Sequence, residues 1–364
     1  MRTTAAVLRV ADGPYVLEEV TLRDLRADEV LVQIKGVGMC HTDVLPRSPG
    51  FIAAPPIISG HEGAGVVQAI GSSVAGVAVG DHVVLSFDSC HACANCNAGQ
   101  PAYCDTFMAR NLFGRELDGS VTASDAAGSE IGARWFGQSS FAMHAIATQR
   151  NVVVVDKSLP LELLGPLGCG IQTGAGSILV ALDVQPDTSV AIFGAGAVGL
   201  AAVMAAKVAE SNTIIAVDLH KHRLELALEL GATDVLGGDD PELVARLLEI
   251  TGGGVHYAFD TTGVPAVILK ALAATRMNGK VGLVGVQTGD LVLDGSALIG
   301  KTVLGILEGG AIPQQFIPRM IALWQDGRFP FDRLIKKFPL DQINEAERAS
   351  LSGEVIKPVL IPSG

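Results

Sequence analysis

The amino-acid sequence predicts an α/β protein that combines a doubly wound parallel sheet with a second, mostly β region. Three observations predict it. From about residue 171, short β-branched runs alternate with Ala-rich or amphipathic stretches, which is typical of strand–helix units in a parallel sheet. Residues 1 to about 150 instead contain short apolar–polar alternations separated by Gly and Pro turns. Of the 364 residues, 49% are hydrophobic and 18% charged, which is enough apolar material for a large core.

The N-terminal region is predicted to consist mainly of strands. Glu29 to Lys35 alternates between apolar and polar residues, as a half-buried strand does, and the segments 63–70 and 81–85 are similar. The segment 90–141 is rich in glycine and has little periodicity. A loop of that length needs either a function or an internal staple.

The second region is predicted to alternate between strands and helices. The expected strands are 189–193, 213–218, 235–236, 257–260 and 279–286, and the expected helices are 197–209, 220–230, near 240–250 and near 265–275. The last segment, from about 306 to 364, contains two helical stretches and a terminal strand at 355–361.

Charge and targeting signals exclude several classes of partner. Lys plus Arg is 26 and Asp plus Glu is 38, and the net charge of -12 disfavours binding to nucleic acid or an anionic membrane. The first apolar run is short and is interrupted by Arg9, unlike a signal peptide. The uncharged stretch 188–206 contains three glycines and divides into a buried strand and a helix. We therefore expect a cytoplasmic protein with no membrane or nucleic-acid partner.

Four of the six cysteines form a motif with the spacing Cys90-x2-Cys93-x2-Cys96-x7-Cys104. Four thiolates satisfy the tetrahedral preference of a structural zinc ion and leave no open position. Two disulfides are the first alternative, although a reducing compartment disfavours them. An iron–sulfur cluster is the second, but ferredoxins place the last cysteine three residues on and follow it with proline, whereas Asp105 follows here.

A glycine motif indicates a dinucleotide site of the Rossmann type. Gly194-x-Gly196-x-x-Gly199 follows a predicted strand and opens a predicted helix, and Asp218 ends the next strand. The glycines permit a tight turn and close approach of a pyrophosphate to the helix N-terminus. Asp218 is expected to accept hydrogen bonds from the adenosine ribose and to repel a 2′-phosphate. This favours NAD over NADP, although cations at 221–223 complicate the preference.

Three further segments contain possible metal ligands: Cys40-His-Thr-Asp43, Gly60-His-Glu-Gly63 and the segment around Cys169. Spacing alone does not show that they meet, and a lone cysteine is more often inert core. Together with the four-cysteine loop and the glycine motif, in this order, they resemble the zinc-dependent medium-chain alcohol dehydrogenases. Within that family the chain is most similar to the aryl (benzyl) alcohol and geraniol-type dehydrogenases, over about residues 5–360.

The resemblance implies a domain organisation and a second metal site. The expected domains are a GroES-like, mostly β catalytic domain at 1–170 with the structural-zinc loop, a Rossmann domain at 171–305 and a return to the catalytic domain at 306–364. Cys40, His61 and Cys169 would bind a catalytic zinc ion with an open fourth position, giving two zinc ions per chain. Glu62 would lie close behind this ion, either supporting its ligands or binding it transiently, and Asp43 would hydrogen-bond the far nitrogen of His61.

The resemblance also implies a proton relay with one departure. The hydroxyl of Thr42 would take the proton of the alcohol. Many relatives end the relay at a histidine where this chain has Leu45. Either His41 or bulk water takes over that function, or the relay is shorter. In the interpretation we prefer, His41 faces the pyrophosphate of the cofactor.

Further site residues follow from the resemblance alone, and each has an ordinary core or surface role as its alternative. Expected substrate contacts are Phe87, Phe136, Ile306 and Leu307. Expected cofactor contacts are Thr173, Val284, Val286, Arg223 and Lys357. The sequence suggests no role for Glu308.

The implied activity is reversible oxidation of primary aromatic or allylic alcohols to aldehydes, with hydride transfer to NAD in a homodimer or homotetramer. A general aliphatic alcohol dehydrogenase or a thiol-linked formaldehyde dehydrogenase is the alternative within the class. The latter favours an arginine at the pocket mouth, with Arg110 and Arg115 as candidates. A non-catalytic zinc-binding regulator is the alternative from another class.

Overall fold

The computed structural model describes residues 1–362, which form two compact units. The first comprises Met1–Gly170, Ile312–Arg319 and the residues from Asp332 onward, and the second comprises Ile171–Ala311 and Met320–Phe331. The domain boundaries expected from the sequence, at 170 and 305, stay a prediction.

Strands predominate in the first half of the chain, and helices alternate with strands in much of the second. The strands are β1 (Arg2–Leu8), β2 (Tyr15–Leu22), β3 (Glu29–Gly38), β4 (Glu62–Ile70), β5 (His82–Leu85), β6 (Ala123–Ser124), β7 (Glu130–Ile131), β8 (His144–Thr148), β9 (Val152–Val155), β10 (Ser189–Phe193), β11 (Thr213–Asp218), β12 (Asp234–Gly237), β13 (Val255–Asp260), β14 (Thr275–Leu283), β15 (Thr302–Gly305), β16 (Ile335–Pro339) and β17 (Lys357–Ile361). The α-helices are α1 (Ala94–Asn97), α2 (Phe107–Leu112), α3 (Leu161–Leu164), α4 (Gly170–Gly176), α5 (Ala197–Val208), α6 (Lys221–Leu230), α7 (Leu243–Thr251), α8 (Pro265–Ala274), α9 (Pro313–Gln325) and α10 (Ile343–Leu351). Short 3₁₀ turns occupy His41–Arg47, Pro101–Tyr103, Trp135–Gly137, Gln149–Asn151, Gly165–Gly168, Glu308–Gly310, Phe331–Leu334 and Leu340–Gln342, and a π turn occupies Ser177–Ala181.

The first unit is built around a sheet with the order β16-β17-β3-β4-β5-β9, with β8 paired to β3. A second sheet has the order β1-β2-β6-β7. The predicted strands at 29–35, 63–70 and 81–85 correspond to β3, β4 and β5. Val30, Val32 and Ile34 of β3 are buried, because alternate side chains of a strand face the same side. The candidate metal ligands Cys40 and His61 lie just after the end of β3 and just before the start of β4.

The second unit contains a parallel sheet with the order β12-β11-β10-β13-β14-β15. All side chains of the central strand β10 are buried, as expected where helices cover both faces of a sheet. This order has the topological switch beside the first strand, which is where such folds bind dinucleotides. The predicted fold class, a Rossmann sheet together with a mostly β region, is confirmed.

The strand expected at 279–286 is observed earlier, as β14. This strand begins directly after α8 ends at Ala274. The N–H of Val284 still donates to the carbonyl of Asp260 at 3.1 Å, and the chain then leaves the sheet beside Gly263. Val286 is therefore 64% exposed and lies beyond the strand.

A helix that crosses a bilayer must be both long and apolar. Among residues 1–362, no single helix meets both requirements, and Leu161–Gly168 with Gly170–Ala181 do so only as a bent pair.

Candidate metal centres and nucleotide site

Strand and helix ends position the three expected ligands of the catalytic metal. Cys40 follows the end of β3, His61 directly precedes β4, and Cys169 directly precedes α4. Their ligand atoms and a carboxylate oxygen of Glu62 all lie within 4.8 Å of one another. His61 is fully buried, and its Nε2 lies 3.2 Å from Sγ of Cys169. The structure thus brings together three side chains that spacing alone could not connect.

The carboxylate of Asp43 fixes the imidazole ring of His61. Its Oδ1 lies 2.8 Å from Nδ1 of His61 and also accepts the backbone N–H of Gly60 at 2.9 Å. Its Oδ2 accepts the backbone N–H of Cys40 at 3.0 Å. Because a carboxylate only accepts, the proton stays on Nδ1 and Nε2 is the nitrogen left for a metal ion.

Trp135 is a contributor that sequence reasoning did not find. Its indole is fully buried, and Nε1–H donates to Oδ1 of Asp43 at 3.1 Å. A buried indole N–H normally requires an acceptor, and that requirement is the signal available in the sequence. The acceptor itself, however, lies far away along the chain.

A buried ion pair lies behind the three ligands. The ammonium of Lys357 lies 2.9 Å from both carboxylate oxygens of Glu62 and 3.1 Å from the carbonyl of Met39. Burial opposes the charge of Lys357, but the Glu62 carboxylate raises the pKa of Lys357 above its ordinary value. The expectation that Lys357 contacts a pyrophosphate is wrong for this structure. Its side chain is 2% exposed, and these acceptors engage its three N–H donors.

The donor set at this site fits a zinc ion. Two thiols and one imidazole are the ligand types of several catalytic zinc sites, and three protein ligands leave one position open. A hydrogen bond from Cys169 lowers the pKa of Cys40 well below its ordinary value. Burial disfavours a charged imidazole, but Asp43 raises the pKa of His61 well above its ordinary value.

Two of the expected substrate contacts are aromatic residues of the first unit. The ring of Phe136 stacks on His61 with centroids 4.4 Å apart and an interplanar angle of 25°. Phe136 has a left-handed backbone conformation with φ of 50°, which is uncommon for a bulky residue and occurs mainly where the surroundings enforce it. Phe87 lies 5.7 Å from Phe107, which in turn makes an edge contact with Phe136. Both predicted residues are buried.

The relay candidates occupy the 3₁₀ turn that begins at His41. Oγ1 of Thr42 lies 3.7 Å from Sγ of Cys40, so the hydroxyl is adjacent to one ligand. His41 is exposed, whereas Leu45 packs against the hydrophobic core. Leu45 thus has a packing role in place of the relay histidine.

The four-cysteine motif also converges. The Sγ atoms of Cys90, Cys93, Cys96 and Cys104 lie within 4.8 Å of one another, and across residues 1–362 all six cysteines are free thiols. The backbone N–H of Ala92 lowers the pKa of Cys90, and the N–H of Cys90 donates to Sγ of Cys104 at 3.2 Å. Four converging sulfurs with backbone donors fit a closed structural zinc site. His91 is exposed at the surface of the loop.

Side chains link this loop to the core of the first unit. Oγ1 of Thr106 lies 3.3 Å from Sγ of Cys104 and accepts Nε–H of Arg110 at 2.9 Å. Arg110 also donates to the buried carboxylate of Asp88 at 3.0 Å, and Arg150 donates to the other oxygen of that carboxylate at 3.1 Å. Arg110, a candidate for the arginine at the pocket mouth, is therefore bound to Thr106 and Asp88.

The glycine motif forms a tight turn between β10 and α5. Gly194 has φ of +94°, which favours glycine, and a Cβ on Gly199 would lie 1.8 Å from the carbonyl oxygen of Gly194. A Cβ on Gly196, by contrast, would meet nothing within 4 Å. The motif therefore has open space in front of the N-terminus of α5, which fits a pyrophosphate.

Asp218 lies at the wall of a cavity of about 240 Å³ in the second unit. Its carboxylate accepts the backbone N–H groups of Ala195 at 2.7 Å and His220 at 2.8 Å. Arg223 lines the same cavity, with Nη1 3.9 Å from Asp218, whereas Lys221 is exposed. Apolar walls come from Leu219, Leu243, Val264 and Val267. A polar end and apolar walls fit the adenosine part of a dinucleotide.

Glu308, for which the sequence suggests no role, lies close to Thr173 in the structure. Its carboxylate is buried, and Oε2 lies 3.5 Å from Oγ1 of Thr173, which was expected near the nicotinamide. Ile306 is buried in the same unit, whereas Leu307 is 41% exposed.

Comparisons with known proteins agree with this arrangement. The alcohol dehydrogenase GroES-like domain family matches residues 26–157, and the zinc-binding dehydrogenase family matches residues 197–326. Geraniol dehydrogenase from Castellaniella defragrans is 46% identical over 98% of this chain and 97% of its own length. The chain belongs to the zinc-dependent medium-chain alcohol dehydrogenases.

Two further members of that family are similar to this chain over nearly its whole length. The crystal structure of benzyl alcohol dehydrogenase from Acinetobacter calcoaceticus superposes with a TM-score of 0.95 and 42% identity, covering all of both chains. A probable S-(hydroxymethyl)glutathione dehydrogenase from Schizosaccharomyces pombe is 33% identical over 98% of this chain and 96% of its own length. The predicted similarity to the geraniol and benzyl alcohol enzymes is confirmed, and the protein is an alcohol dehydrogenase.

Replacing one ligand of each cluster tests the two metal sites. We expect Cys169→Ser to lower the zinc content from about two ions per chain to about one, because a site with only two strong ligands loses its ion. Cys104→Ser should also lose one zinc, but with loosening of the 90–112 loop. Zinc is measured by elemental analysis and loop order by limited proteolysis. Retention of both ions in Cys169→Ser would contradict a site at Cys40, His61 and Cys169.

Proposed function

We propose that this protein oxidises primary aromatic or allylic alcohols to aldehydes, reversibly, with hydride transfer to NAD. The observation that carries the proposal is the convergence of Cys40, His61 and Cys169 at one buried point with an ordered imidazole. When bound, a zinc ion there supplies a Lewis acid that lowers the pKa of an alcohol hydroxyl, and NAD supplies the hydride acceptor. A second zinc ion in the four-cysteine loop is structural.

In this proposal the chain's own residues position the alcohol and accept its proton. Thr42 is adjacent to Cys40, so its hydroxyl takes the proton of the alcohol and passes it toward the cofactor ribose and solvent. Leu45 packs against the core and carries no proton. His41 is exposed and serves the cofactor pyrophosphate. Glu62 is held by Lys357 behind the metal position, where its negative charge lies close to the ligands.

NAD is the proposed cofactor because Asp218 is fixed at the end of β11. Two backbone N–H groups orient its carboxylate toward the cavity, where it can accept from a ribose hydroxyl and repel a phosphate. Arg223 lines the same cavity and contacts the adenosine end. The backbone at Val284 and Val286, together with Thr173, is assigned to the nicotinamide end.

An aromatic or allylic substrate is proposed because a group of apolar rings lies beside His61. Phe136 covers one face of His61, and Phe87 joins it through Phe107. Ile306 and Leu307 are assigned to the outer channel. A thiol-linked formaldehyde adduct is the second candidate, supported by the Schizosaccharomyces relative. It is disfavoured because Arg110 is bound to Asp88 and Arg115 to Glu130.

The assembly and compartment complete the proposal. The edge strand β15 and the exposed apolar side chains of Val292, Ile299 and Val303 support a homodimer, or a tetramer built from dimers. With every thiol assigned to a metal, the proposed compartment is the cytoplasm. A non-catalytic regulator is disfavoured because the three ligand side chains converge with Thr42 beside them, and because the glycine motif is accompanied by Asp218.

A substrate panel tests the function directly. We expect kcat/KM with NAD to be highest for benzyl alcohol and geraniol, and lower for ethanol and for the glutathione adduct of formaldehyde, because the proposed substrate contacts are apolar side chains. Reduced cofactor is followed by absorbance, with a chelator-treated sample as control. Highest kcat/KM for the adduct would favour the second candidate, and full activity after zinc removal would contradict both.

Thr42→Ala tests the relay. We expect turnover to fall by about 10²- to 10⁴-fold, since general acid–base groups contribute on that order. Zinc content should stay near about two ions per chain, because the hydroxyl is not a ligand. Thr42→Ser, which restores the hydroxyl, is the matched control and should recover most of the turnover. Near-normal turnover in Thr42→Ala would refute the relay.

Asp218→Ala tests the cofactor preference. We expect the apparent KM for NAD to rise by about 10- to 100-fold through loss of charge-assisted hydrogen bonds. The KM for NADP should rise less or fall, because the carboxylate no longer repels the 2′-phosphate. Both constants are measured by steady-state kinetics with benzyl alcohol. An unchanged ratio of the two would be incompatible with the assigned role.

A further inference from the structure

The ion pair of Lys357 and Glu62 contacts all three segments that carry the candidate ligands. Lys357 donates to the carbonyl of Met39, the residue before Cys40. Glu62 follows His61 directly. The backbone N–H of Gly170, the residue after Cys169, donates to Oε1 of Glu62 at 2.9 Å. One pair of side chains therefore bridges the backbone beside each ligand.

The packing around this pair is tight and consists partly of glycine. A Cβ on Gly38 would lie 1.9 Å from Oε2 of Glu62. A Cβ on Gly170 would lie 3.1 Å from Oε1 of Glu62 and 3.3 Å from Nζ of Lys357. The pair therefore fits a slot between two glycines, and a shift of either glycine-bearing segment would collide with it or open a gap.

Strand pairing carries Lys357 to this slot from the far end of the chain. In β17, Val359 pairs with Gly38 of β3, and the N–H of Met39 donates to the carbonyl of Pro358 at 2.9 Å. Lys357 therefore sits at the end of a hydrogen-bonded ladder that continues into the Cys40 segment. Backbone pairing therefore fixes the position of Lys357 relative to the Cys40 segment.

We propose that Lys357 is a positioning residue that holds the three ligand-bearing segments at the spacing a zinc ion requires, and thereby slows loss of the ion. The inference rests on the proposed catalytic metal site. Asp43 orients one ring, whereas the Lys357–Glu62 pair sets the distances between backbones. A buried ion pair adds little net stability compared with an apolar pair of the same volume, so its expected effect is on geometry more than on folding.

The test is the rate at which zinc leaves the protein. Zinc-loaded wild-type chain, K357M, the double variant K357M/E62Q and the control K337M are mixed with a chromogenic chelator. Lys337 also pairs with a glutamate, Glu162, and lies on the strand next to Lys357, but it is exposed. We expect the catalytic ion to leave K357M about 10- to 100-fold faster than the wild type, as for other residues that support metal ligands. In K357M the structural ion should leave at the wild-type rate. In K337M both ions should leave at their wild-type rates.

The double variant separates positioning from charge balance. In K357M alone the Glu62 carboxylate is buried without its cation, which destabilises the fold and can prevent folding. K357M/E62Q removes both charges, so its thermal unfolding should approach that of the wild type. Its catalytic zinc should still leave at least about 10-fold faster, because the link to Met39 is lost.

Two results would overturn the inference. Wild-type release from K357M/E62Q would mean that Lys357 serves only to neutralise Glu62. Equal acceleration of both zinc ions would indicate a general loss of stability. Failure of the proposed function is seen separately, as a Cys169→Ser chain that keeps the zinc content of the wild type.

Discussion

The candidate active site depends on the hydrogen bonds that the buried carboxylate of Asp43 accepts. It accepts hydrogen bonds from the backbone of Cys40 and Gly60, from the ring of His61 and from the indole of Trp135. A buried carboxylate is tolerated only when its oxygens are satisfied, so these donors must arrive together or the site does not form. The hydrogen bonds that satisfy the Asp43 carboxylate also bring His61 close to Cys40.

The two metal clusters are organised in different ways. The four-cysteine cluster lies in one loop, is partly buried and uses backbone N–H groups as its nearest donors. The cluster of Cys40, His61 and Cys169 is assembled from strand and helix ends, and charged side chains support it from behind. The first arrangement suits a staple that stabilises a loop, and the second suits a site whose geometry and electrostatics must be exact enough for chemistry.

The sequence predicted features in which the chemistry is local. The cysteine spacing and the glycine motif with Asp218 are both contained in short segments, and the structure has them in the expected local shapes. The convergence of Cys40, His61 and Cys169 rested on family resemblance, because ligand distances depend on tertiary packing. Lys357 was misplaced for a physical reason: its burial is set by the pairing of β17 with β3, which no local pattern reports. Trp135 and Glu308 were not interpreted for the same reason, since their partners are remote along the chain.

The remote origin of Lys357 has a consequence for biosynthesis. Cysteines 90 to 104 close only short loops around an ion, so in the proposed two-zinc protein this site can capture zinc while most of the chain is still unfolded. The other site needs β3, β4 and the segment before α4 in place, and its supporting lysine is on β17, which follows all of these segments in the sequence. In the proposed two-zinc protein the loop site would therefore form first, and a chain truncated before β17 would carry the loop ion without a securely held catalytic one.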